Sequence, residues 1–334
     1  MSASLPTIAL IFTGGTIESI GKDRLDAAWY IENNVRLSNR DVIERVPELG
    51  EYADVLEVPF RKLPSHALVD RDWLELHKTL TATLTSAQTS GVVITHGTNT
   101  LEETAHFLHL TLKSPKTVVL TGAMRPASAL SADGDLNLLN AVIVAASPAA
   151  TGLGVLVVMN DTVISARDAV KMQTYRVQAF AGRDVGPLGF VEADHSVVIC
   201  HMPSRPHTLA SEFDVSQLDE LPRVDVVVSY VGADGTFIDA AIASGTKGVV
   251  SAGTGAGRPT PAEDAAIDRA VERGVIVCIS TRVPGGRVVR SPVMRHRGLV
   301  AGGDLPPWKA RTLLALALTL TEDRDVIQEM FDRY

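Results

Sequence analysis

The chain has 334 residues, of which 46% are hydrophobic and 21% are charged, and its formal net charge is −8 at pH 7. This composition excludes a disordered, collagen-like or disulfide-stapled chain and predicts a soluble protein of about two domains. An acidic chain without a basic run argues against nucleic acid as a partner. No uninterrupted apolar stretch approaches the ~20 residues that cross a bilayer, so we expect no membrane partner.

Two features indicate the compartment. The N-terminal segment MSASLPTIAL lacks a basic region and a long apolar core, so we expect no signal peptide. Both cysteines, Cys200 and Cys278, lie in apolar runs and are predicted to be reduced core residues. We therefore expect a cytoplasmic protein.

Short β-branched runs recur along the chain, and several are apolar at every position, as in strands buried within a parallel sheet. The predicted strands are 7–12, 92–95, 117–121, 155–159, 197–200, 224–230, 248–251 and 275–280. Helical patterns lie between them at 100–113, 261–273 and 308–319, and the first begins with a predicted capping box from Thr100 to Glu103. Strands that alternate with helices predict an α/β fold.

A stretch at 203–223 holds three prolines and many polar residues, which is typical of a connection between domains. We expect an N-terminal domain at 1–205, a linker at 206–221 and a smaller C-terminal domain at 222–334.

Three predicted strands end in segments rich in threonine and glycine, at 13–17, 95–100 and 121–126. In an open α/β sheet, ligands bind beyond the carboxyl ends of the strands. Glycine lets a backbone approach a substrate closely, and a hydroxyl becomes a nucleophile when a base removes its proton. Each segment alone is typical of a tight turn or a helix N-cap. The three together predict an active site.

Cofactor and metal motifs do not fit. The glycine-rich run at 253–257 lacks the dinucleotide-binding spacing, and the chain has no phosphate-binding loop. The nine histidines form neither an HExxH motif nor a Cys/His cluster, so we expect no metal and no cofactor.

The three strand ends, in this order, resemble the signatures of the bacterial-type L-asparaginase family. The matching segments are TGGTI at 13–17, HGTNTLEETA at 96–105, TGAMRP at 121–126, SADGDLNLLNA at 131–141 and VVMND at 157–161. The resemblance implies a larger flavodoxin-like N-terminal domain with a parallel sheet and a smaller α/β C-terminal domain. It also implies a homotetramer built from two intimate dimers, with each site between the N-terminal domain of one subunit and the C-terminal domain of its neighbour, although the sequence leaves dimer or tetramer open. The implied reaction converts the side-chain amide of L-asparagine into L-aspartate and ammonia.

The resemblance implies roles for particular residues, position by position. Thr16 would attack the amide carbon, Thr98 would activate or position the attacking group, and Lys171 would assist proton transfer. Tyr30 lies near the position of the family's mobile-loop tyrosine. The positions implied for substrate binding are Gly15, Ser65, His66, Gly97, Asn99 and Ala123, with Ser65 at the substrate α-carboxylate and backbone groups at the developing oxyanion.

Asn99 departs from the family pattern, which has an aspartate that binds the α-ammonium group of the substrate. A neutral amide offers hydrogen bonds but no charge, although Asn99 could instead cap the helix that follows. Arg287, Arg290, Arg295 and Arg297 also stand in a segment where some members have acids.

Four interpretations stay open at this point. The chain could be an asparaginase, or an amidohydrolase of a monoamide, lactam or other substrate without a free α-amino group. It could also be a binding module that keeps the fold without turnover, or the asparaginase-like subunit of a transfer-RNA amidotransferase.

Overall fold

The computed structural model describes residues 4–334, so the first three residues of the MSASLPTIAL segment lie outside the described residues. The chain forms two compact units, one that ends at Ser216 and one that spans Gln217–Tyr334. Within the described residues, none of the helices combines the length and hydropathy that a bilayer crossing requires.

The first unit alternates strands and helices, as the sequence predicts. Its strands are β1 (Thr7–Phe12), β2 (Ser19–Ile20), β3 (Val35–Arg36), β4 (Asp54–Val58), β5 (Gly91–Thr95), β6 (Thr117–Thr121), β7 (Val155–Met159), β8 (Thr162–Ser165), β9 (Val170–Lys171), β10 (Phe180–Ala181), β11 (Gly189–Val191) and β12 (Val197–Ile199). Its α-helices are α1 (Tyr30–Asn33), α2 (Asn39–Glu44), α3 (Leu49–Tyr52), α4 (Asp70–Thr85), α5 (Leu101–Thr111) and α6 (Gly134–Ala146). Short 3-10 helices span Thr16–Glu18, Ser65–Ala67, Pro148–Ala150 and Thr208–Ala210.

The main sheet has eight strands in the order β12-β11-β8-β7-β6-β5-β1-β4. The neighbouring strands β4, β1, β5, β6 and β7 are parallel. Numbered along the chain, they follow the order second, first, third, fourth, fifth, which is the order of a flavodoxin-like sheet. Strands β8, β11 and β12 extend the sheet in antiparallel fashion. The predicted fold class is therefore confirmed.

The core of the first unit follows the two-residue period of its strands. Ile8, Leu10 and Phe12 of β1 lie in one hydrophobic cluster with Leu138 and Val142 of α6, and all five side chains are buried. Because β1, β5, β6 and β7 are buried almost throughout, their carboxyl ends are held rigidly at one edge of the sheet.

The second unit contains a separate parallel sheet in the order β13-β14-β15-β16. Its elements are β13 (Val224–Val228), α7 (Thr236–Ala243), β14 (Gly248–Gly253), α8 (Pro261–Glu272), β15 (Ile276–Thr281), α9 (Pro292–His296), β16 (Val300–Ala301), α10 (Pro307–Ala317) and α11 (Arg324–Arg333). This smaller α/β unit is the one that the resemblance implies.

Part of the predicted linker packs on the first unit. The Ser211 hydroxyl donates to the carbonyl of Leu110, and Phe213 is completely buried. The Lys113 ammonium donates to the carbonyls of Thr208 and Ser211. Residues 208–213 are therefore bound to the end of α5.

Cys200 does not lie in the core. It is exposed, whereas Cys278 in β15 is buried as predicted. The predicted strand at 197–200 is the outermost, antiparallel strand β12, whose residues are half-buried or exposed, and Cys200 follows its end. The prediction that Cys200 is a core residue is wrong, because an apolar run in an edge strand has the same sequence pattern as a run in a buried strand.

Candidate active site

The carboxyl ends of the neighbouring strands β1, β5 and β6 lie side by side in the main sheet. Strand β1 lies between β4 and β5. The Thr13 amide and hydroxyl donate to the Thr95 carbonyl at 3.1 and 2.9 Å, and the His96 amide donates to the Thr121 carbonyl at 2.8 Å. These hydrogen bonds fix the segments that follow β1, β5 and β6 beside one another. The strand order reverses at this position, and open α/β sheets bind ligands at such a switch point.

Two glycines allow the segments to approach closely. A Cβ atom on Gly15 would lie 2.9 Å from the Cα and N atoms of Gly97, and Gly15 has a φ of +111°. A Cβ atom on Gly97 would lie 2.5 Å from the Ser65 Oγ atom. The structure therefore brings together Gly15, Gly97 and Ser65, which the sequence predicts as substrate-binding positions.

Thr16 begins the 3-10 helix after β1, and its Oγ1 atom lies 2.9 Å from the Tyr30 Oη atom. Tyr30 lies in the segment between β2 and β3, which pair with each other. Burial raises the pKa of Tyr30, so its side chain is a neutral phenol. The Asp26 carboxylate accepts hydrogen bonds from the Lys22 and Trp29 amides and shapes the same segment.

Lys171 reaches the second threonine. Its Nζ atom lies 2.8 Å from the Oγ1 atom of Thr98, which is 5% exposed. Burial lowers the pKa of the Lys171 amine, while the Glu102 carboxylate of α5 opposes that shift. An amine with a lowered pKa at this distance is able to take a proton from a hydroxyl.

The capping box predicted at Thr100 does not form. Helix α5 begins at Leu101, and its N-cap residue, Thr100, makes no side-chain capping hydrogen bond. The Thr100 hydroxyl instead donates to the Ser65 carbonyl at 2.8 Å. Asn99 is exposed and precedes the N-cap residue, so it does not cap the helix. His66 is exposed next to the buried Ser65.

The sequence prediction missed a buried relay behind Gly97. The His96 Nδ1 atom lies 2.8 Å from the Gly97 carbonyl, so Nδ1 carries the proton. Its Nε2 atom then accepts from the Thr104 hydroxyl at 3.1 Å, and that oxygen accepts from the Trp73 indole N–H at 2.9 Å. Burial lowers the pKa of His96 to about 4, so the ring is neutral. The relay orients the peptide that precedes Thr98.

A second missed residue, Asp133, holds the loop after β6. Its carboxylate accepts hydrogen bonds from the Met124 and Arg125 amides, both at 2.9 Å. Asn137 donates to Asp133 and to the Gly122 carbonyl. Ala123, one of the predicted substrate-binding positions, is completely buried in this loop. The sequence analysis includes the segment 131–141 among the family-like segments, but it predicts no role for Asp133 or Asn137.

Metal ligands do not converge in this site. The described residues contain no group of three or more His, Cys, Asp or Glu side chains that could hold a metal ion. The chemistry available to the described residues is that of two hydroxyls, an amine, a phenol and backbone amides.

Comparison with known proteins agrees with this geometry. Residues 7–204 match the family model of the asparaginase N-terminal domain, and residues 223–331 match that of the glutaminase/asparaginase C-terminal domain. A probable periplasmic L-asparaginase of Haemophilus influenzae is 42% identical, with coverage of 100% of this chain and 94% of that protein. L-asparaginase 2 of Escherichia coli is 41% identical, with coverage of 99% and 94%.

A solved structure is equally similar. A probable cytoplasmic L-asparaginase from Campylobacter jejuni superposes with a TM-score of 0.94 at 39% identity, with coverage of 98% of this chain and 100% of that one. Both the sequence and the fold are thus matched over nearly their full length. The chain therefore belongs to the asparaginase family.

Proposed function

We propose that the chain hydrolyses the side-chain amide of L-asparagine to L-aspartate and ammonia, with Thr16 as the nucleophile. The observation that carries the proposal is that two threonine hydroxyls on neighbouring strand ends each have a proton-bearing partner. Thr16 has Tyr30 at 2.9 Å, and Thr98 has Lys171 at 2.8 Å. Acyl transfer through a hydroxyl needs a nucleophile and groups that carry its proton away. The Tyr30 phenol can relay a proton beside Thr16, and the Lys171 amine can act as a base beside Thr98.

In the first step, the Thr16 Oγ1 atom forms a bond with the amide carbon as the carbonyl π electrons move to the oxygen. The Thr16 proton passes to the Tyr30 oxygen while the phenol gives its own proton to the amide nitrogen. In this proposal, backbone groups at Gly97, Thr98 and Ala123 donate hydrogen bonds to the oxygen that becomes negative. The C–N bond then breaks, and the nitrogen leaves as ammonia after it receives a proton. Water then adds to the acyl ester, and its proton passes through the Thr98 hydroxyl to the Lys171 amine. That proton is returned to the Thr16 Oγ1 atom as the ester C–O bond breaks, which restores Thr16 and releases the acid.

Asparagine is the favoured substrate because the compared relatives with high identity are asparaginases. An amide without a free α-amino group stays the second candidate, and the observation that keeps it is the neutral, exposed side chain of Asn99. In this proposal Ser65 binds the α-carboxylate of asparagine, or the carboxylate of a monoamide such as succinamic acid.

Ammonia release from L-asparagine, L-glutamine and succinamic acid tests the proposal directly. Thr16→Ala should abolish hydrolysis without unfolding the chain, because losing a nucleophile commonly costs many decades of rate. Circular dichroism of the same sample controls for folding. Activity within a few-fold of wild type would remove Thr16 as the nucleophile.

We also propose a homo-oligomer, a dimer or a tetramer of the family type, in which a partner subunit completes each site. A cytoplasmic location is supported by the description of the Campylobacter jejuni protein as cytoplasmic. The Haemophilus influenzae relative is described as periplasmic, so cell fractionation is needed to decide the compartment.

A further inference from the structure

A buried ion pair lies beside the proposed nucleophile and takes no part in the proposed chemistry. Glu18 follows Thr16 by two residues, and its side chain is completely buried. The Lys62 Nζ atom lies 2.5 Å from the Glu18 Oε2 atom. Lys62 precedes Ser65 by three residues, so the pair joins the nucleophile segment to the segment proposed to bind the α-carboxylate.

The same pair also contacts the segment that carries Tyr30. That segment leaves the nucleophile through β2 and returns through β3 to Leu37. The Leu37 amide donates to the Glu18 carbonyl at 2.7 Å, and the Lys62 ammonium lies 3.5 Å from the Leu37 carbonyl. The Glu18 main chain and the Lys62 side chain therefore hold the two polar groups of the Leu37 backbone, and only the second contact depends on the ion pair.

Lys62 itself has a fixed backbone position. The amide of the next residue, Leu63, donates to the Thr13 carbonyl at 2.9 Å, directly after β1. A Cβ atom on Gly14 would lie 3.2 Å from the Leu63 carbonyl oxygen, so the two chains are in close contact there. The Lys62 backbone is thus held next to the end of β1, and its side chain extends to the carbonyl of Leu37 in the segment at 21–37.

The energetics of the pair do not favour a role in stability. The Glu18 Oε1 atom is buried and accepts no hydrogen bond. Burial raises the pKa of Glu18, even though Lys62 and Arg36 favour its ionised form. A buried ion pair with incomplete hydrogen bonding commonly adds little to the free energy of folding, because desolvation offsets the attraction. The feature left to explain is therefore the position of the pair, which links the segments around Thr16, Leu37 and Lys62.

We propose that the Glu18–Lys62 ion pair is a positioning element of the active site, which holds the segments that carry Thr16, Tyr30 and Ser65 in their reactive arrangement. The proposal rests on the proposed amide hydrolysis. When the pair is broken, the Lys62 ammonium loses the anion that holds it beside the Leu37 carbonyl, so the Tyr30 segment is fixed less firmly and kcat should fall. The Ser65 segment loses its link to Glu18, so KM should rise.

Three variants and one control test the proposal. Glu18→Gln keeps the shape and removes the charge, Lys62→Met removes the ammonium, and Lys62→Arg restores a cation. The control is Asp135→Asn, which breaks the 2.7 Å ion pair between Arg45 and Asp135 in the same unit. Glu18→Gln and Lys62→Met should each lower kcat/KM by about 10- to 100-fold, the scale of a small misplacement of reacting groups. Lys62→Arg should recover part of the loss, and the control should stay near wild type.

The pH profile supplies a readout that general destabilisation would not change. The charged groups that face Glu18 are Lys62 and Arg36. As the pH falls through the raised pKa of Glu18, its carboxylate takes up a proton and the ion pair is lost. Wild-type activity should therefore decline on the acid side, and Glu18→Gln should lack that decline and have low activity throughout.

Hydrogen exchange tests the positioning without any substrate. Amide exchange at 30–38, including Leu37, should accelerate in Glu18→Gln and Lys62→Met but not in Asp135→Asn. Unchanged exchange, or a loss of activity that only follows the folded fraction, would overturn the proposal. If wild type releases no ammonia from any amide, the proposed function fails, and the exchange experiment still decides whether the pair positions these segments.

Discussion

Thr16 and Thr98 carry the same hydroxyl group in different surroundings. Thr16 is half-buried and faces a neutral phenol, whereas Thr98 is buried and faces an amine whose pKa is lowered by burial. A hydroxyl beside a potential base is suited to proton transfer. A half-buried hydroxyl stays accessible to a substrate, which an attacking group requires. The two positions therefore support the division of roles proposed above.

Replacing Lys171 by arginine separates charge from proton transfer. Arginine stays protonated at all working pH values and cannot accept a proton, so Lys171→Arg should lower kcat by about 10²- to 10⁴-fold. Burial lowers the pKa of Lys171 below 10.5, the ordinary value for lysine. Wild-type kcat should therefore rise with pH, and the midpoint of that rise should lie below the pKa of an exposed lysine. Steady-state kinetics across pH 6–10 measure both effects. A variant with the wild-type pH profile would contradict the proton-transfer role.

Asn99→Asp tests whether the missing charge governs the choice of substrate. A carboxylate at this exposed position gains a charge-assisted hydrogen bond to an α-ammonium group and gains nothing from a methylene. The ratio of kcat/KM for asparagine to that for succinamic acid should rise, with a difference of ~1–3 kcal/mol as the plausible scale. An unchanged ratio would show that asparagine is bound through other groups, and it would leave the hydrolase proposal intact.

At the scale of elements, α5 and α4 support the segment that bears Thr98 through the relay from Trp73 to His96. Thr104→Val removes the central hydroxyl and leaves the His96 Nε2 atom without its donor. Burying such a group unpaired should destabilise the native state by about 1–3 kcal/mol. Urea denaturation measures the loss, and Thr79→Val on the exposed side of α4 is the control. An equal loss in both variants would argue against the relay.

The same relay gives a pH dependence with a definite sign. The folded-state pKa of His96 is about 4, below the ordinary value of 6.5, so the native state disfavours the protonated ring. Its contribution to stability is present above pH 6.5 and is lost as the pH falls toward 4.

The parts of the fold that the sequence could predict are those set by local pattern. The apolar runs of β1, β5, β6 and β7 and the threonine-glycine segments behind them lie where the pattern places them. The errors arise from partners distant in sequence. The Thr100 hydroxyl binds a carbonyl 35 residues away instead of capping its own helix. Glu18 and Lys62 are 44 residues apart, so the sequence pattern does not predict that they pair in the folded chain.

At the scale of the whole molecule, the arginine-rich segment bears on assembly. Arg290 is paired with Asp325, and Arg297 is paired with Asp264 and Asp268 within the second unit. Arg287 and Arg295 are exposed. These two side chains are therefore the members of the segment best placed to contact a partner.

Light scattering should show a mass that is a multiple of the chain mass. The double variant Arg287→Glu and Arg295→Glu should weaken that assembly, and it should do so more than the control variant Arg40→Glu on α2. The reason is that like charges introduced at an interface repel, whereas Arg40 pairs only with Glu44 on its own helix. A fully active monomer at working concentration would end the proposal of a shared site.

The two cysteines make the molecule selective toward thiol reagents. Cys278 is fully buried and burial raises the pKa of its thiol, whereas Cys200 is exposed beside the outermost strand β12. Since the thiolate is the reactive form, an alkylating dye should attach once per native chain, at Cys200. Six strand spacings separate β12 from β1, a distance of roughly 30 Å. A fluorophore or a surface linker attached there would report on or immobilise the protein while leaving the nucleophile segment untouched.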